Sequence, residues 1–184
     1  MCKPVCKPVL KIVLLLCAAT AFAQTKYSGV GKPAAADRVK AADKTVMADG
    51  RGLPAGKGNV ETGRGLCKTN CAECHNEAGE GRDKQWPALV GGTGTLATKA
   101  AKKTVGSYWP YATTVWDTIA RSMPYNNPGT LKPDEVYAIT AFVLHLNGIV
   151  PATQELDEKS LPLVKMPNRD GFIPTVHPDV NAKR

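Results

Sequence analysis

The stretch Cys71-Ala72-Glu73-Cys74-His75 decides how this chain is read. Two thiols separated by two residues and followed at once by a histidine make the C-x-x-C-H spacing at which a c-type haem is tethered. On one helical turn, positions i, i+3 and i+4 share a face. Cys71, Cys74 and His75 hold those positions, so the three side chains are expected to leave the backbone together. The thiols then bond the two vinyl-derived carbons at the haem edge, and the imidazole serves as the proximal iron ligand.

Immediately upstream, Asn59 is a suitable cap for a helix through Val60, Arg64 and Cys67 into the motif itself. Gly63 and Gly65 weaken such a helix but allow another helix to approach closely. Downstream, Asn76 to Gly81 exits as a loop, and Trp86-Pro87-Ala88-Leu89-Val90-Gly91-Gly92 reads as a rigid apolar loop. The Pro87 carbonyl is placed to accept the ring N–H of His75, which fixes the imidazole and raises its basicity.

The distal half follows. Tyr108-Trp109-Pro110-Tyr111 leads into a predicted helix from Tyr111 to about Arg121, with Val115, Trp116 and Ile119 facing inward. Trp109, Tyr111 and Leu89 count among the candidate pocket residues. Pro124 cannot continue that helix, so Met123 falls on a loop where its thioether can turn inward as a sixth ligand. Met166 is the competing methionine, beyond the last strong helix. That last helix runs from Pro133 to Leu146 and stops at Asn147-Gly148. Its apolar face is broad enough to meet both another helix and a haem edge. His145 on this helix reads as a packed or surface residue.

Composition sets the frame. The 184 residues carry a formal charge of +8. Lys3, Lys7 and Lys11, a short apolar run and Ala21-Phe22-Ala23 form a secretory leader, expected to be cleaved after Ala23. Its apolar part is too short for a stable membrane span, which favours a leader over an anchor; the expected location is the periplasm, and no membrane span is expected in the mature chain. Removing the leader takes away three lysines, no acids and three of the six cysteines, leaving +5 and Cys67, Cys71 and Cys74. An odd cysteine count argues against a disulfide framework. Basic residues are scattered, which gives nucleic-acid binding little support but suits docking to an acidic protein. The expected layout is a leader at 1–23, an extended arm at 24–58 with a short helical piece from Asp37 to Val46, a helical domain at 59–148, and a strap and tail at 149–184.

Taken together, these residues resemble a class I c-type cytochrome: an all-α fold wrapped around one covalent haem, flanked by irregular arms. More narrowly, the chain is similar to the cytochrome c subunits and domains of bacterial sulfite and sulfur dehydrogenases of the thiosulfate-oxidising type. That likeness rests on Asp49-Gly50-Arg51-Gly52-Leu53-Pro54, Gly106-Ser107-Tyr108-Trp109-Pro110-Tyr111-Ala112-Thr113-Thr114, Met123-Pro124-Tyr125 and Met166-Pro167-Asn168-Arg169-Asp170-Gly171-Phe172. It spans residues 46 to 175 or so. The resemblance implies thioethers at Cys71 and Cys74, axial ligands His75 and Met123, and support of His75 by Pro87. It also implies a molybdenum-containing dehydrogenase as partner and a downstream acceptor such as another cytochrome. Cys67 departs from the aromatic residue usual at that position, and Lys132 stands where Ser or Thr would cap the helix.

Two other classes compete on the same residues. Cys67, Cys71, Cys74 and His75 are a chemically acceptable zinc set, although adjacent Cys74 and His75 point about 100° apart on a helix. Cys71-Ala72-Glu73-Cys74 alone would permit thiol–disulfide exchange, but no βαβ pattern surrounds it. A generic respiratory shuttle is the alternative within the haem class. No residue set in the mature chain makes a substrate-oxidising centre, so an electron-transfer subunit is expected rather than a catalyst.

Overall fold

A computed structural model describes residues 31–83 and 85–173. The leader and residues 174–184 lie outside the described residues. Residues 31–43 belong to a unit of their own, with helix α1 (Ala36–Ala42) exposed along its whole length. The rest of the description concerns the second unit, which begins at Lys44.

Chain order in this unit is β1 (Lys57–Asn59), α2 (Val60–Asn70), α3 (Ala72–His75), α4 (Val105–Tyr108), α5 (Ala112–Ser122), α6 (Pro133–Leu146) and β2 (Glu155–Asp157). A single 3-10 turn follows at Leu161–Leu163. The two strands pair antiparallel, with Gly58 opposite Leu156. Otherwise the unit is helical.

Helix α6 is the axis of the core. Pro133 occupies its first turn, Glu135 accepts the Lys132 backbone N–H at 2.7 Å, and Asn147 closes its end. Glu135 thus supplies the reciprocal half of a capping box, and the lysine at the cap position needs to supply nothing. Val136 through Leu144 are buried without a break. Helix α6 packs against α2, β1 and α5, which explains why its apolar surface is not a single stripe.

The α2–α6 crossing is close because of glycine. A Cβ on Gly63 would collide with the Ala138 carbonyl and the Phe142 Cβ, and one on Gly58 would strike the Ala138 backbone. Gly65 is different: an added Cβ there meets nothing within 4 Å. Its expected role in helix approach is therefore not found. Asn59 does cap α2, its Oδ1 accepting the Thr62 N–H at 2.9 Å.

The segments flanking the helices are tied to the same core. Tyr137 donates its hydroxyl to the Pro54 carbonyl at 2.9 Å, and the Lys57 N–H donates to Asp134 Oδ1 at 2.8 Å. Burial keeps the Tyr137 hydroxyl protonated well above the usual phenol range, helped by the nearby Glu158 and Asp157 carboxylates. Beyond α6, Val150, Leu156, Leu161 and Met166 all join the core.

Candidate haem-attachment site

The helix entering C-x-x-C-H is not continuous. Helix α2 ends at Asn70, and Cys71 (φ −125°, ψ −32°) caps its end and opens the one-turn α3. The expected unbroken helix is thus a helix, a kink at the first motif cysteine, and a single turn. Beyond that kink, Cys74 and His75 N–H groups both bond the Cys71 carbonyl, at 3.1 and 2.9 Å. The motif is therefore closed on itself locally.

A short loop is laced onto that turn. The Gly81 N–H bonds the His75 carbonyl at 3.0 Å, and the Arg82 guanidinium donates to the Glu73 carbonyl at 2.6 Å. Leu89 N–H reaches Gly79 O at 2.7 Å, and the Asn147 amide donates to Leu89 O at 3.1 Å, linking the loop to the end of α6. Within this frame His75, 8% exposed, donates its Nδ1–H to the Pro87 carbonyl at 2.8 Å. That bond fixes the tautomer and leaves Nε2 as the free ring nitrogen.

The thiols are half-buried at Cys71 and Cys74 and buried at Cys67; all three are free of disulfides. Cys67 lies one helical turn before Cys71, and the mutual influence of the two thiols pushes the Cys67 thiol up and pulls the Cys71 thiol down. Burial acts on Cys67 in the same direction. Met123 caps the C-terminal end of α5 and is partly buried against the core. Met166, only 3% exposed, is part of the core. Leu89 and Trp109 also line the core edge, while Tyr111 lies under the Arg169 guanidinium, 4.4 Å from its ring centre.

The donor set suits a covalently held haem: a buried imidazole with one nitrogen committed and one free, two reduced thiols beside it, and a thioether on a separate loop. Trp116 adds a further sign of fit. Its Nε1–H is buried and has no hydrogen-bond partner among the described residues. A sealed donor of that kind costs about 1–3 kcal/mol, and a carboxylate such as a haem propionate is the type of acceptor it lacks. Sequence reasoning placed Trp116 inward but had no means of seeing its open donor. Arg82 and Asn147 were also missed, because their partners are backbone carbonyls that carry no sequence signal.

Zinc fares differently. Among the described residues, no group of three or more His, Cys, Asp or Glu side chains converges as a metal cage, so the four-ligand reading of Cys67, Cys71, Cys74 and His75 loses its geometry. Likewise the only strands described form a two-stranded antiparallel pair, not the βαβ setting of a thiol–disulfide oxidoreductase.

A helical fold built around an N-terminal helix, C-x-x-C-H and a packed last helix defines a small haem-tethering protein. The family model for cytochrome c matches residues 60–147. A chain in the crystal structure of the sulfane dehydrogenase SoxCD from Paracoccus pantotrophus is 43% identical to this one, with a TM-score of 0.75, the match covering 84% of this chain and 75% of that one. No curated protein sequence matches. The chain belongs to the cytochrome c family, whose members bind haem c covalently and transfer electrons. No helix among the described residues is long and apolar enough to cross a membrane.

Proposed function

We propose that this chain is a monohaem electron carrier, the electron-accepting subunit of a periplasmic sulfite or sulfur dehydrogenase. The observation that carries this reading is the 43% identity over 84% of the chain to a sulfane dehydrogenase chain. A haem c supplies reversible one-electron chemistry. Residues 59–148 carry it, flanked by the arm at 24–58 and the strap and tail at 149–184.

Cys71 and Cys74 would hold a haem c through thioether bonds, and His75 and Met123 would ligate its iron. The Pro87 carbonyl acts through His75: by accepting the Nδ1–H hydrogen bond it holds the ring in the tautomer that leaves Nε2 free and makes that nitrogen more basic. The Met123 thioether would serve as a soft iron ligand, which would raise the reduction potential. With both protein ligands in place, the iron would exchange electrons rather than bind oxygen or peroxide. Leu89, Trp109 and Tyr111 line the apolar surround. The partner is a molybdenum-containing subunit that performs the sulfur chemistry, and the electron leaves to a second carrier such as another cytochrome. Cleavage of the leader after Ala23 delivers the chain to the periplasm.

The test is co-purification from a host able to attach haem c, followed by addition of sulfite or a sulfane substrate. Reduction of the haem band in the complex supports the reading. Failure across the sulfur substrates, with a partner bound, would make the protein a generic respiratory shuttle.

A further inference from the structure

The two loops that carry the proposed ligand set meet at an aromatic contact that ligation itself does not use. The rings of Trp86 and Tyr125 lie edge to face, their centres 6.0 Å apart and their planes at 70°. Trp86 directly precedes Pro87, whose carbonyl holds the His75 ring. Tyr125 stands two residues after Met123.

The two partners are anchored very differently. Trp86 exchanges both backbone hydrogen bonds with Arg82, each 3.1 Å, and Arg82 in turn grips the Glu73 carbonyl inside C-x-x-C-H. The backbone that carries the indole is thus fixed to the motif. Tyr125 is 73% exposed. The bonds that shape its own loop are local: Asn127 N–H to Pro124 O and Thr130 Oγ1–H to Asn127 O, both 2.9 Å. A ring so exposed gains little from burial, so its contact with Trp86 mainly fixes where the loop stands.

We propose that Trp86 and Tyr125 form a clasp between the histidine loop and the methionine loop, a positioning pair that holds Met123 in its ligating place. The inference rests on the ligand reading above. Edge-to-face aromatic pairs carry a specific attraction beyond area burial. Swinging Met123 away moves Tyr125 off the fixed indole, so the clasp weights the equilibrium toward the ligating arrangement. The phenol hydroxyl has no part in this, and phenylalanine should serve as well.

Imidazole, which competes with the thioether for the sixth position, is the probe. It is titrated against the oxidised, haem-loaded full chain and followed by visible absorption. Tyr125→Ala and Trp86→Ala should each bind imidazole about 2- to 10-fold tighter than wild type. Tyr125→Phe should match wild type. The double alanine variant should bind no tighter than either single, since the two rings act as one unit. Wild-type affinity in Tyr125→Ala, an equal effect from Tyr125→Phe, or additive singles would each overturn the clasp. Met123→Ala separates the two ideas. If wild type already binds imidazole as tightly as Met123→Ala, the ligand reading falls and takes the clasp with it. If Met123→Ala is much tighter while Tyr125→Ala is unchanged, the clasp alone falls.

Discussion

At the scale of single residues, the two methionines offer the sharpest contrast. Met123 ends a helix at a loop and is only partly buried, whereas Met166 is sealed in the core. On the proposed ligation, Met123→Ala removes the sulfur-to-iron charge-transfer band. It should lower the potential by about 0.1 V or more, a fraction of the roughly 0.8 V that axial ligation spans. Met166→Ala should leave band and potential alone but cost about 2–5 kcal/mol of stability, as large-to-small core changes do. Voltammetry and thermal unfolding of the two variants decide the assignment, and the reverse pattern would exchange the roles. The His75–Pro87 bond is a case of good legibility: the proline loop a dozen residues after the C-x-x-C-H histidine was expected to supply it, and the bond is there at 2.8 Å. Trp116 is the opposite case. Its position on the inward face of α5 could be read from spacing, yet an unpartnered Nε1 is a property of its surroundings and not of the sequence.

At the scale of elements, helix limits were readable wherever a residue has a steric or hydrogen-bonding reason to stop or start a helix. Asn59 caps α2 and Pro133 opens α6, both with identifiable local chemistry. The kink at Cys71 was not readable, since no glycine or proline marks it. The paired glycines of α2 show the same divide. Gly63→Ala should destabilise by about 1–3 kcal/mol, because the Ala138 carbonyl cannot move out of the way cheaply. Gly65→Ala, in open space on the same helix, should stabilise by about 0.5–1 kcal/mol. Denaturant melts of both test whether tight crossing or helix propensity governs each position. The turn after β2 gives a pH prediction. Asp157 accepts from the Ser160 N–H and hydroxyl and from the Lys159 N–H, which holds its carboxyl below the usual value, the Ser160 hydroxyl acting most. A carboxyl held low when folded contributes stability above its unfolded pKa of about 3.9 and loses it as pH falls through the lower folded value. Asp157→Asn should therefore lower Tm at neutral pH, and the gap to wild type should narrow as pH falls below the unfolded pKa of about 3.9.

At the scale of the whole molecule, the helices were legible because their patterns are local; the strap was legible as a segment, but the strand pairing and buried side chains that tie it to the core were not. The strands β1 and β2 are three residues each and come from opposite flanks of the helical domain. Three residues carry too little alternation to be recognised, and the pairing is a long-range choice made by the core. The same holds for the segment after α6, which reads as irregular yet delivers Leu156, Leu161 and Met166 to the interior. If the strap is part of the core, its side chains must matter by position and not by type, and one leucine pair tests that. Leu161 is fully buried, while Leu163, two residues on in the same 3-10 turn, is 77% exposed. Leu161→Ala should cost about 2–5 kcal/mol, a large share of the 5–15 kcal/mol margin typical of a folded domain. Leu163→Ala should change stability by less than about 0.5 kcal/mol. Both leave C-x-x-C-H intact, so each variant should still carry the covalent haem, read from the visible spectrum of the denatured chain. The difference then appears only in the melt: a large drop in Tm for Leu161→Ala and almost none for Leu163→Ala. Equal melts would mean that the strap lies on the domain without supporting it.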